Sequence, residues 1–130
     1  MAVGLASAIC NSILDALCRN VAWTQPAAFW VKLHTADPGA AGTTAAAANT
    51  TRKQATMSAA SAGAITNSAA LDWTNVPNAE TYSHVSFWDA STAGTFLGSD
   101  DLAVARTVAV GDNFSIAIGD LDLNLTPVAA

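Results

Sequence analysis

Apolar residues recur at every fourth position near the start of the chain. Leu5, Ile9, Ile13 and Leu17 fall on one helical face, Leu14 and Cys18 widen that stripe, and Ser7, Asn11 and Asp15 hold another face. The spacing predicts an amphipathic helix over 3–19. Asp15 and Arg19 stand one turn apart and add an acid–base pair worth about 0.2–0.5 kcal/mol. Such a helix is expected to pack across one end of the domain, and its stripe also suits docking of a neighbouring subunit. Pro26 disfavours continued helix. Beyond it the period drops to two, with Phe29, Val31 and Leu33 alternating against Trp30, Lys32 and His34. Asp37-Pro38-Gly39 then supplies turn chemistry, since proline presets φ and glycine accepts positive φ.

Residues 40–51 contain only Gly, Ala, Thr and Asn. With no large apolar side chain to anchor it, this stretch reads as a flexible surface loop that orders on contact with a partner. Strand-like runs follow at 52–59, 64–67, 70–74, 81–89, 95–102, 106–110, 113–118 and 121–126. Turn signals separate most of them, among them Ser61-Ala62-Gly63, the stretch around Pro77, Gly111-Asp112 and Gly119-Asp120. Short strands at this spacing predict an antiparallel β-sandwich of about eight strands behind one N-terminal helix. The alternation is clearest in Phe114, Ile116 and Ile118 and in Leu121, Leu123 and Leu125, which Gly119-Asp120 is placed to join as a tight hairpin. The expected organisation is a single domain, 1–130, with the sandwich over 28–126 and a loose tail at 128–130.

Composition sharpens this picture. Hydrophobic residues make up 52% of the chain, but many are alanine, which implies a thin two-layered core. Charged residues are 12%, about half of what is usual for soluble domains. A surface with few ions to desolvate suits close packing against neighbours, and an Ala/Thr-biased genome would give the same composition. The net charge is −5 with one adjacent basic pair, Arg52-Lys53. Tight nucleic-acid binding needs several phosphates neutralised together, so that role is excluded. No apolar run approaches the roughly 18 residues of a membrane span, and the N-terminus lacks the basic start of a secretion signal. Cys10 and Cys18 would lie about 12 Å apart on an intact helix, beyond the roughly 7 Å limit for a disulfide. They read as small buried hydrophobes of a protein made in a reducing cytoplasm.

Candidate chemistry is sparse. His34 and His84 lie in predicted strands, each on the face opposite the apolar stripe, and would approach each other if those strands were neighbours. A structural metal needs about four ligands and nothing completes the set. Asp100 and Asp101 point to opposite faces of a strand, while Asp120 and Asp122 share one if the strand includes both. Neither pair offers the roughly six to eight oxygens that Ca²⁺ takes. There is no Gly-x-Ser-x-Gly elbow, phosphate loop or His-Glu-x-x-His. A glycosidase-type pair of carboxylates distant in sequence is left open. The expectation is a non-enzymatic protein without cofactor or metal. Trp30 and Trp88 are the candidate contact aromatics, and Leu5, Ile9 and Ile13 form the candidate docking stripe.

The order of features resembles that of small tailed-bacteriophage structural proteins of the tail-fibre-like or minor tail kind. The resemblance runs through the apolar helix at 11–19, Leu33-His34-Thr35-Ala36-Asp37-Pro38-Gly39, Arg52-Lys53-Gln54-Ala55 and Ala59-Ala60-Ser61-Ala62-Gly63. It continues through Asn67-Ser68-Ala69-Ala70-Leu71, His84-Val85-Ser86-Phe87-Trp88-Asp89-Ala90, Gly94-Thr95-Phe96-Leu97, residues 108–112 and Gly119-Asp120-Leu121-Asp122-Leu123. The chain departs from the pattern before Arg52, where residues 45–49 replace glycine and tyrosine. The resemblance implies a virion component made in the bacterial cytoplasm and assembled in several copies with other virion proteins at the tail. A head decoration protein and a host-glycan-binding module acting through Trp30 or Trp88 are the alternative roles.

Overall fold

The computed structural model describes residues 3–125 and Val128. In chain order the elements are β1 (Gly4–Leu5), α1 (Ser7–Arg19), β2 (Trp30–His34), β3 (Lys53–Gln54), β4 (Ala64–Thr66), β5 (Leu71–Trp73), β6 (Glu80–Trp88), β7 (Phe96–Val108), β8 (Phe114–Ile116) and β9 (Asp122–Asn124). The fold is mostly β, antiparallel throughout and sandwich-like, with one N-terminal helix. A five-stranded sheet has the order β1-β7-β6-β2-β3, and two ribbons, β4-β9 and β5-β8, complete the architecture. The predicted strand end at Thr126 and the tail residues Ala129 and Ala130 lie outside the described residues.

The period-two pattern holds over β2 and β8, whereas Ile118 and Leu125, the ends of the two clearest runs, are exposed. Val31 pairs with Phe87 and Leu33 with Val85, and all four are buried in the core with Leu71, Trp73, Phe114 and Ile116 of the β5-β8 ribbon. Phe114 joins the layers, 5.8 Å from Trp73 and edge-on to Tyr82 at 5.1 Å. The indole N–H of Trp73 donates to the Thr51 carbonyl at 2.8 Å, so its polar atom is satisfied inside the core.

The helix begins later than its stripe suggests. Gly4 and Leu5 add to the edge of β7, opposite Ser99 and Gly98. A Cβ on Gly98 would stand 2.7 Å from the Gly4 carbonyl oxygen, so the glycine is what admits this edge strand. The helix ends where Asn20 takes a left-handed conformation, φ 55, and returns its N–H to the Asp15 carbonyl. Arg19 donates to Asp15 at 3.0 Å, as the spacing implied.

Three other expectations change. The run 52–59 is not one strand: only Lys53 and Gln54 pair with β2, after which Ser58 N–H bonds to Thr66 O and Ser68 N–H to Thr56 O. The chain changes partners there and links the sheet to the ribbons. The runs 95–102 and 106–110 merge into β7, whose register against β6 shifts where Leu102–Ala105 face Ser83 alone. The bulge accounts for the broken pattern, and it separates Tyr82 from the face of His84 and Trp88. Lastly, Gly119-Asp120 makes a turn, with Asp120 N–H bonded to Ala117 O at 3.1 Å, but joins no hairpin. β8 pairs with β5 and β9 with β4. The turn is held by Asn67, which is 1% exposed. Its Oδ1 accepts from Gly119 and Leu121, and its Nδ2 donates to Ala69 and Ala117.

The loop at 40–51 does reach the core. Ala47 is 2% exposed, and its N–H bonds to the Leu33 carbonyl on the outer edge of β2. A methyl group suffices to anchor backbone that is already paired, which is why the absence of large side chains misleads here.

Candidate interaction surface

Helix α1 is the unusual element. None of its residues is buried, although its apolar arc runs from Ile9 and Ile13 round to Leu14, Leu17 and Cys18. Leu14 is 56% and Leu17 78% exposed. An isolated helix of 13 residues is marginal in water even with good helix formers, and most helices gain their stability from a covered apolar face. The expectation that α1 packs across the domain end is met only along one side, where Ile9 and Ile13 are half-buried. Cys18 is exposed and Cys10 half-buried, and both are free thiols rather than buried hydrophobes.

Beside the half-covered side of α1 lies a groove of about 430 Å³. Leu5, Ile9 and Ile13 form one wall, and Trp23 and Phe29 lie along it. Ile65 of β4 and Leu123 of β9, with Leu125 after it, form the other wall. Among the described residues no charged one lines it. The three stripe residues named from sequence therefore come together, though Leu5 does so from a strand. The residues that sequence reasoning did not connect are Trp23, from the segment after α1, and Ile65 and Leu125, which the β4-β9 pairing brings to the groove.

The two tryptophans meet as cross-strand partners, Trp30 on β2 opposite Trp88 on β6. Trp30 is half-buried. Trp88 is 8% exposed, because Phe96 packs 5.5 Å away and the Arg52 guanidinium lies 4.3 Å over its ring. The same guanidinium donates to the carbonyls of Ala90 and Ala93 at 2.7 and 2.8 Å. Trp88 is thus built into the sheet rather than offered on the surface.

Sequence placed the histidines on compatible faces, and the structure sets them directly opposite, His34 against His84. His34 is fully buried. Its Nδ1 lies 2.9 Å from the Thr44 carbonyl, which only accepts, so Nδ1 carries the proton. Nε2 then accepts from Ser86 Oγ at 2.7 Å, and Ser86 in turn accepts the Trp88 indole N–H at 2.8 Å. Burial holds the imidazole below its usual pKa, with Lys32 and His84 adding repulsion against the partial opposition of the Thr44 and Ala45 carbonyls.

Asp100 and Asp101 stand opposite Val85 and His84 on β6, yet their side chains come within hydrogen-bonding reach of each other. Asp100 lines a smaller pocket with Asp122 and Asn124. Desolvation chiefly, reinforced by the nearby Asp101 and Asp122 charges, pushes its carboxyl up to about 6. Asp120 stays in the turn, outside β9. Among the described residues no group of three or more His, Cys, Asp or Glu side chains is arranged to hold a metal ion, and no helix is long and apolar enough to cross a membrane.

No curated protein matches the sequence. A family model described as Podophage GP4 fiber I protein gp80 matches residues 4–124, from the first residue of β1 to the last of β9. The tail-fibre-like resemblance and the family match agree, and the chain belongs to the family described as Podophage GP4 fiber I protein gp80, as a fibre-like structural component of a bacteriophage virion.

Proposed function

We propose that this protein is a non-enzymatic component of the phage tail, present in several copies, that joins neighbouring virion proteins through α1 and the groove beside it. The observation that carries the proposal is the helix without a buried residue. Its exposed arc and the uncharged groove together make a contiguous apolar surface of the kind that marks protein contact sites rather than solvent-facing ones. Low overall charge fits the same use, because few ions must be stripped of water when subunits meet. Contact is made by shape and apolar burial, with no nucleic acid, membrane or cofactor involved.

The test separates the roles. Phage particles are fractionated into capsid-free tails and tailless heads, and the protein is quantified in each. It is expected in the tails. Recovery with tailless heads at high copy number would assign it to head decoration instead. Tryptophan fluorescence that responds to host wall sugars would favour a glycan module, and the half-buried Trp30 is the ring placed to report it.

A further inference from the structure

We infer that the head of α1 and the Ser99 hydroxyl together form a binding site for a carboxylate group. A cavity of about 320 Å³ opens there, on the face of the five-stranded sheet that carries Ser86 and Trp88. Ala6 and Ser7 line it from the head of α1, Phe96 and Ser99 from β7, and Gly39 and Ala40 from the turn after β2. The helix head is uncapped. Ala6 makes no side-chain bond and the first turn holds no acid, so the positive end of the helix dipole is left open. The Ala6 carbonyl takes the amides of Ile9 and Cys10 at 2.9 and 3.0 Å, and the Ala6 amide goes to the Leu97 carbonyl. The Ser7 and Ala8 amides are left without an acceptor among the described residues.

Ser99 points to a ligand independently of the helix. It stands opposite Ser86, and directly opposed residues share a face of the sheet, so its hydroxyl is directed to the side of the Phe96 ring and into the cavity. The residue is 6% exposed, yet its hydroxyl has no hydrogen-bond partner among the described residues. A hydroxyl so deeply buried is ordinarily paired. The two unpaired amides and the hydroxyls of Ser7 and Ser99 are therefore available as donors, in the pattern that holds an oxyanion at a helix N-terminus. Among the described residues no charged one lines the cavity, and Asp37 holds its carboxylate on the Gly39 N–H at 2.8 Å. Neutral donors with an acid close by suit a single negative charge and disfavour a phosphate dianion. Phe96 and Ala40 give the rest of the ligand an apolar wall. The ligand is thus a monocarboxylate with a short apolar body, either free or as a glutamate side chain of a neighbouring chain. The site stands whatever the protein's place in the particle.

The test titrates the whole chain with sodium propionate at fixed pH and ionic strength and reads the backbone amides by NMR, with sodium chloride and neutral propionamide as controls. The Ser7, Ala8 and Ser99 amides should shift saturably with propionate and with neither control. Glutamate blocked at both backbone ends is titrated beside it, and the tighter binder of the two names the source of the carboxylate. Ser7→Pro removes one amide and one hydroxyl at a position where helices accept proline, behind an Ala6 that is already extended. Ser99→Ala removes the buried hydroxyl. Each variant should weaken propionate binding several-fold. Drift that never saturates, an equal response to propionamide, affinity that either variant leaves unchanged, or tighter binding of inorganic phosphate would overturn the inference. Ser7 is exposed, so Ser7→Pro decides alone if Ser99→Ala does not fold.

Discussion

Truncating Asn67 to alanine should cost more than almost any other change from a polar residue in this chain. The amide fills both donor and both acceptor positions with backbone partners from the 69 and 117–121 segments, at 2.9 to 3.0 Å. Net values of about 0.5–1.5 kcal/mol per bond put the loss at about 2–6 kcal/mol. Ala69, Ala117 and Gly119 are exposed and regain water, whereas the Leu121 amide stays buried, so the lower half of that range, about 2–4 kcal/mol, is expected. For a chain this size about 3 kcal/mol lowers Tm by roughly 10 °C. Urea unfolding of wild type and Asn67→Ala, followed by far-UV circular dichroism and tryptophan fluorescence, measures it. Asn67→Asp is the sharper companion. It keeps two acceptors but sets a carboxylate oxygen against the Ala69 and Ala117 carbonyls, and should be at least as damaging. A loss under about 1 kcal/mol in both variants would refute the role given to this side chain in parting β8 from β9.

Other outcomes follow from single contacts. The Asp100 carboxyl is pushed up to about 6 in the folded protein, above its unfolded value of about 3.9, so its contribution is full in acid and is lost as pH rises through about 6. Asp100→Asn should therefore stabilise the fold at pH 7.5, with the gain shrinking as the pH is lowered toward about 4; a constant gain across a stability–pH curve would contradict this. Gly42→Ala combines a left-handed backbone with a collision at Phe96, and calorimetry should show a loss of about 1–3 kcal/mol. Leu14→Asp with Leu17→Asp alters exposed side chains only, so unfolding of the isolated protein should move by no more than about 1 kcal/mol.

The strands with strict alternation were legible because each buries one face against one partner. Val31 and Leu33 could be placed on the inner side of β2 from their spacing alone, and Phe114 and Ile116 likewise on β8. What could not be read was partner choice. Gly119-Asp120 has the residues of a hairpin turn, yet Asn67, about fifty positions earlier, captures its amides and parts the flanking strands. Leu5 continues the helical period of Ile9 and Ile13 but is drawn into the sheet by the space at Gly98. The groove was half visible. The stripe on α1 carries Ile9 and Ile13 to one wall of it, while Ile65 and Leu123 join them only because β4 pairs with β9. Trp88 shows the opposite error: an aromatic suited to an interface is committed instead to Arg52 and Phe96.

The central claim is that α1 and its groove exist to be covered by a neighbouring virion protein. The most direct measurement is quantitative mass spectrometry of purified particles from phage whose only copy carries Leu14→Asp and Leu17→Asp. The soluble protein should be made and folded as usual, yet be missing from the tails. Incorporation at the wild-type level would contradict the account.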